Sequence, residues 1–152
     1  MEREITYNEA LQKCQFLAAK SECCTYDLIQ KMYRWGVSPE VSAKVIDSLS
    51  NYRFVDDLRY AIAFVRDKTR FNHWGRIKTT MMLRQKRISE EFINQAFEEL
   101  PMSDYQRAFE IERDKKIRQL RGTESFECNR KTAAYLIQKG FEPNYVFQHL
   151  RT

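Results

Sequence analysis

Apolar residues recur at i, i+3, i+4 and i+7 along most of the chain, the period of one buried face of an α-helix. Tyr7, Ala10, Leu11 and Cys14, continued by Leu17 and Ala18, predict a first helix, and Leu58, Ala61, Ile62 and Val65 predict another in mid-chain. A third begins with Tyr105, Ala108 and Phe109, is broken by Glu112 and Lys116, and resumes at Ile117 and Leu120. No stretch alternates apolar and polar residues between turn signals, so no strand is expected.

Turn signals are sparse, four Gly and three Pro in 152 residues, and they recur in register. Trp35-Gly36-Val37-Ser38-Pro39, Lys86-Arg87-Ile88-Ser89-Glu90 and Lys139-Gly140-Phe141-Glu142-Pro143 align at successive offsets of 51 and 53 residues. Around them Met32, Leu83 and Leu136 align before the turn, Val37, Ile88 and Phe141 just after it, and Ile46, Phe97 and Leu150 further on. Gly36 and Gly140 fit a left-handed helix terminus, and Ser38-Pro39, Ser89-Glu90 and Glu142-Pro143 fit the start of the next helix. The chain therefore reads as all-α: three tandem three-helix repeats, 1–52, 53–101 and 102–152, in an elongated, curved array. The joints near Asn51–Arg53 and Pro101–Ser103 are too short for flexible linkers.

Composition narrows the class. The apolar share of 43% is enough for a packed core, apolar runs are too short to span a membrane, and Met1-Glu2-Arg3-Glu4 leads into no apolar signal segment. Cys14, Cys23, Cys24 and Cys128 lack metal-ligand spacing and read as free thiols of a cytoplasmic protein. Net charge is +5 overall, but residues 53–87 alone carry ten basic and three acidic groups, a net of +7. Within that segment Arg59, Arg66 and Arg70 fall at i, i+7 and i+11, one helical stripe opposite Leu58, Ala61, Ile62 and Val65. Arg76, Arg84 and Arg87 make a second stripe at i, i+8 and i+11, with Thr80 between, although Ile77, Met81, Met82 and Leu83 run most of the way round that helix. Two such stripes suit phosphates or an acidic protein surface; a solvated helix face is the competing reading.

The remaining candidates are weaker. Phe71 and Trp74, in a basic loop, fit an anchor between helices better than a platform for unpaired bases, and Trp35 reads the same way. Asp56-Asp57 and Glu90-Glu91 stand where carboxylates cap a helix and complement its dipole, without further ligands for a metal. His73 and His149 have no nucleophile placed beside them, and the glycines form no phosphate loop, so neither catalysis nor a cofactor nor a metal is expected.

The middle unit resembles the RecX family of RecA modulators. The likeness rests on Phe54-Val55-Asp56-Asp57-x-x-Tyr60-Ala61-x-x-Phe64-Val65, Gly75, and Leu83-x-x-Lys86-x-Ile88-Ser89. Asp27-Leu28-x-x-Lys31-Met32-x-x-x-Gly36-Val37 and Leu136-Ile137-x-x-Gly140-Phe141 extend it to the first and third units. Two residues depart from the family pattern: Arg87 replaces a glycine, which predicts a tighter or differently shaped turn, and Cys24 replaces a Ser or Thr that opens a helix.

The resemblance implies a monomeric regulatory protein that binds RecA and the RecA–DNA filament in homologous recombination, DNA repair and the SOS response. It further implies modulation, in the inhibitory direction, of filament growth, ATP turnover and strand exchange, with the six arginines as the basic RecA- or DNA-binding face. The rival reading is a direct DNA-binding module of tandem helix-turn-helix-like units, and a generic helical scaffold is a third.

Overall fold

The computed structural model describes residues 4–150; the start at Met1–Arg3 lies outside them. Among the described residues there are nine helices and no strand. They are α1 (Tyr7–Lys20), α2 (Thr25–Arg34), α3 (Pro39–Asn51), α4 (Asp57–Arg70), α5 (Arg76–Gln85), α6 (Glu90–Glu99), α7 (Met102–Gln119), α8 (Ser125–Gln138) and α9 (Pro143–Leu150). No described helix is long and apolar enough to cross a membrane.

Three cores follow one another along the chain. Ala10, Cys14, Leu28, Met32, Val45 and Leu49 form the first; Ala61, Val65, Leu83, Ile93 and Ala96 the second; Tyr105, Phe109, Leu136, Phe141 and Val146 the third. Met32, Leu83 and Leu136 are each 0% exposed, as their shared register requires. Each such side chain contributes roughly 2 kcal/mol by leaving water. Ile46, Phe97 and Leu150 are also equivalent, half-buried against their respective cores. Ser38 and Ser89 cap α3 and α6 by accepting from the Val41 and Phe92 amides, and Pro143 opens α9.

The Arg87 turn departs from expectation: it has the same shape as the two glycine turns. Arg87 adopts φ 58°, beside 82° at Gly36 and 101° at Gly140. The amides of Val37, Ile88 and Phe141 donate to the carbonyls of Met32, Leu83 and Leu136 at 2.9, 3.1 and 3.1 Å. An L-residue in this conformation is strained by roughly 1 kcal/mol, partly offset because the Arg87 guanidinium lies 5.5 Å from the Tyr26 ring centroid. Arg87→Gly is therefore expected to melt above Arg87→Ala by about 1 kcal/mol, or roughly 2–4 °C, inverting the usual order of Ala over Gly. Thermal unfolding of the two variants checks this.

The units are joined by a repeated device. The amide opening the second helix of one unit is capped by the first helix of the next. Asp57 Oδ1 accepts from the Thr25 amide at 2.8 Å, and the Tyr105 hydroxyl accepts from the Arg76 amide at 3.0 Å. Cys24 makes no side-chain cap, so the carboxylate from the following unit takes the place of the Ser or Thr missing there. Asp56 meanwhile caps its own helix at the Arg59 amide. At the second junction the Gly75 and Ile77 amides also donate to the carbonyls of Lys139 and Gly140, each at 2.9 Å, setting an α-helix N-terminus against the end of another.

Candidate interaction surface

On α4 the residues facing inward are Ala61, Val65 and Thr69, one residue every turn. That rotates the buried face away from the expected one: Leu58 and Ile62 are only half-buried and lie beside the arginines instead of opposite them. Three shallow clefts follow the arginine side of this helix and share residues end to end. The first, about 450 Å³, is lined by Arg53, Arg59, Ile62 and Arg66 among others. The second, about 200 Å³, shares Ile62 and Arg66 with it and adds Arg70. The third, about 380 Å³, takes up Arg70 and adds His73 and Arg107 of α7. At a rise of 1.5 Å per residue, Arg59 to Arg70 spans about 16 Å of this trough.

The structure thus brings Arg59, Arg66 and Arg70 together and holds Arg76, Arg84 and Arg87 apart. The Arg76 guanidinium stacks 4.5 Å from the Phe97 ring centroid. Arg84 makes two bonds to Glu90, whose carboxyl this holds below the usual carboxylate range, and Arg87 lies over Tyr26. Sequence reasoning missed Arg53 and Arg107, which belong to the trough through folding and carry no helical-stripe signal with the α4 trio.

The +7 of the middle segment is not a bare patch. Four of its ten cations are met by carboxylates from outside residues 53–87: Arg59 by Glu22 at 2.7 Å, Lys86 by Asp27 at 2.7 Å, Arg70 by Asp104 at 2.7 Å, and Arg84 by Glu90. Arg59 additionally donates to the carbonyls of Arg53 and Phe54. The Asp27 contact pushes the Lys86 ammonium up from its ordinary value, mainly through the hydrogen bond. Arg66 differs, because among the described residues its carboxylate partner is only its chain neighbour Asp67. Surface pairs of this kind contribute about 0–1 kcal/mol, so an incoming anion displaces them at little cost.

Glu112, which interrupts the apolar pattern of α7, is 4% exposed and continues the face of Tyr105, Ala108 and Phe109. Its carboxylate accepts from the Tyr135 hydroxyl at 2.5 Å and meets His73 Nδ1 at 2.8 Å, with Lys139 and Lys115 at 3.7 and 3.8 Å. Burial opposes its charge, but these hydrogen bonds and ammonium groups hold its carboxyl below the usual range. Burial, with the bond to Glu112, pushes the Tyr135 hydroxyl up to about 12. Ile117, expected on the buried face, is instead 39% exposed. Trp74 is the loop's anchor, half-buried between the Lys68 and Lys78 ammonium groups at 4.9 and 4.5 Å and against Phe64; Phe71 points outward, 76% exposed. Trp35 packs on the first core under Lys13. All four cysteines are free, and burial pushes Cys14 and Cys24 up to about 11, so neither is a ready nucleophile. Among the described residues no group of three or more His, Cys, Asp or Glu can hold a metal.

Three-helix units linked by helix capping, with a cationic trough along the central one, define a tandem helical-repeat protein. Comparison with known proteins places it further. The family model for RecX, second three-helix domain, matches residues 56–96. The regulatory protein RecX of Prosthecochloris aestuarii is 30% identical over 120 residues, covering 79% of this chain and 77% of that one. The regulatory protein RecX of Clostridium botulinum (strain Alaska E43 / Type E3) is 30% identical over 139 residues, covering 88% of this chain, which spans 65% of that relative's length. A crystal structure of regulatory protein RecX superposes with a TM-score of 0.86 at 20% identity, over 95% of this chain and 72% of the other, and has the same fold. The chain belongs to the RecX family.

Proposed function

We propose that this chain regulates RecA: it binds the RecA–DNA filament and modulates, in the inhibitory direction, filament growth, ATP turnover and strand exchange. It acts as a cytoplasmic monomer without a cofactor and without chemistry of its own. Membership of the RecX family supports the partner, and the continuous run of clefts joined at Arg66 and Arg70 supports the contact. Arg59, Arg66 and Arg70 form the centre of that contact, with Arg53 and Arg107 extending it and Arg76, Arg84 and Arg87 adding charge from α5 and the turn that follows it. Guanidinium groups hold two oxygens of a phosphate or carboxylate at once, which suits either DNA or an acidic RecA surface.

The decisive experiment titrates the protein into RecA on single-stranded DNA and follows ATP turnover, with binding to the filament and to naked DNA measured alongside. The expected result is reduced turnover and much tighter binding to filament than to DNA. Strong, steeply salt-dependent binding to naked DNA with no effect on RecA supports the direct DNA-binding reading instead. No effect and no binding removes both.

A further inference from the structure

The third cleft of the trough crosses a joint between repeats, and its charged groups come from both sides of that joint. Arg70 ends α4, His73 lies in the loop that follows, and Asp104 and Arg107 stand on the first turns of α7. Arg70 donates to Asp104 through Nε alone, at 2.7 Å, which leaves its two terminal nitrogens for the cleft. Arg107 has no hydrogen bond or ion pair among the described residues. Thr69 lines the same cleft at 1% exposure, and its hydroxyl is a buried polar group with no partner among the described residues. An orphaned hydroxyl beside two guanidinium groups with N–H donors to spare marks a place for the oxygens of an anion.

His73 completes the set. It adopts a left-handed backbone, φ 55°, and its loop is tied down by Lys139, which donates to the Asn72 carbonyl at 2.9 Å. Its Nδ1 meets the Glu112 carboxylate at 2.8 Å, while Nε2 bonds to no described residue and is open to solvent. Glu112 stays ionised across the range in which imidazoles titrate, so Nδ1 keeps a proton throughout. Nε2 is then the nitrogen that changes, bare in the neutral ring and an N–H donor in the charged one.

The groups packed around the ring come from three helices and the loop. Arg70 stands on α4, Asp104, Arg107 and Lys115 on α7, and Tyr135 and Lys139 on α8, the last two with Lys115 holding Glu112. Lys68 and Lys78 lie at the neighbouring Trp74 ring. Asp104 and Glu112 are set against more cations than they balance, so an anion seated in the cleft makes a further positive charge on the imidazole more favourable. A carboxylate is filled by the fork of one guanidinium, whereas a phosphate group has oxygens enough for two guanidinium groups and an imidazole.

We propose that this cleft binds a phosphate group, with Arg70, Arg107 and the protonated Nε2 of His73 as its ligands and Glu112 as the residue that positions the ring. The inference rests on the reading of the trough as an anion contact. It adds that this end of the trough takes phosphate in preference to carboxylate and, where the ring starts neutral, takes up one proton from solvent in doing so. Binding is therefore tightest where the imidazole is charged and weakens as pH rises through its range.

The sequence holds two histidines, so imidazole NMR signals of the full chain follow His73 directly, with His149 as the internal reference. The probe is an oligothymidylate without a terminal phosphate, whose phosphodiesters do not titrate in this range; inorganic phosphate and succinate are run beside it, all without RecA. Oligothymidylate is expected to raise the His73 titration midpoint by about one pH unit, which is about tenfold tighter binding to the charged ring, and to leave His149 unmoved. Arg107→Ala, at an exposed position, is expected to remove most of that rise with an unchanged melting temperature. His73→Asn, a residue that accepts positive φ, is expected to bind about tenfold more weakly at about pH 5.5 and only about twofold more weakly at about pH 7.5. A rise with inorganic phosphate and not with the oligonucleotide keeps the site and gives it to free phosphate. An equal rise with succinate overturns the choice of phosphate. No rise with any of the three overturns the site and leaves the His73–Glu112 bond as a tie between repeats. Because RecA is absent, either failure leaves the filament reading standing, and a failure of that reading in the ATP turnover titration leaves this site in place.

Discussion

Gly75→Ala is expected to loosen the second and third repeats from each other and to destabilise the protein by about 3 kcal/mol, a fall of roughly 6–12 °C in melting temperature. The backbone of Gly75 is ordinary, with φ −79°, so the cause is contact and not conformation. A Cβ there sits 2.2 Å from the carbonyl carbon of Gly140 and 2.2 Å from the amide nitrogen of Phe141, atoms that are backbone and cannot step aside. Separation also stretches the two amide bonds from Gly75 and Ile77 to the α8 terminus, each contributing about 0.5–1.5 kcal/mol. Gly140 meets the same surface from the other side, where an added Cβ lies 2.4 Å from the Lys78 Cβ. Gly36, at the matching turn of the first unit, supplies the control. It has φ +82° but nothing within 4 Å, so Gly36→Ala bears only the conformational term, about 1 kcal/mol. Chemical denaturation of Gly75→Ala and Gly36→Ala separates the two mechanisms.

The repeat and its helices were legible in the sequence because the register of rare turn residues and the helical period of the core positions are both local in origin. Met32, Leu83 and Leu136 announce the cores without any tertiary information. What lay hidden was everything set by contact between units. Arg87 gives no sign that it adopts the conformation of the glycines it aligns with, because the hydrogen bonds closing that turn are backbone bonds. Glu112 reads as a fault in an apolar stripe until His73, Tyr135 and Lys139 are seen around it, and these three lie 39, 23 and 27 positions away. Segment charge misleads for the same reason. Counting along the chain credits the middle unit with +7, while folding delivers Glu22 and Asp27 from the unit before and Asp104 from the unit after. The arginines of that unit thus hold neighbouring units together, and the proposed contact has to be carried by those that do not.

That division makes a sharp expectation for the trough. Arg66→Glu combined with Arg107→Glu is expected to weaken filament binding at least about tenfold, or 1.4 kcal/mol, while leaving the melting temperature within about 2 °C. Among the described residues Arg66 pairs only with the neighbouring Asp67, and Arg107 is exposed at the mouth of the third cleft, so neither reversal undoes a link between units. Arg59→Ala and Arg70→Ala behave differently, because each breaks a pair that ties the middle unit to a neighbour, to Glu22 or to Asp104, and adds a stability loss of up to about 1 kcal/mol to the binding loss. Salt titration then tells which anion the trough meets. Against DNA phosphates, each contact removed lowers the steepness of the log–log salt dependence by about one unit. Against carboxylates of RecA, affinity falls and the slope changes little, because no condensed counterions are released. Binding that survives the double reversal, together with a clear fall in melting temperature on removing Arg59 or Arg70, assigns these arginines to joining the repeats and moves the filament contact to another face.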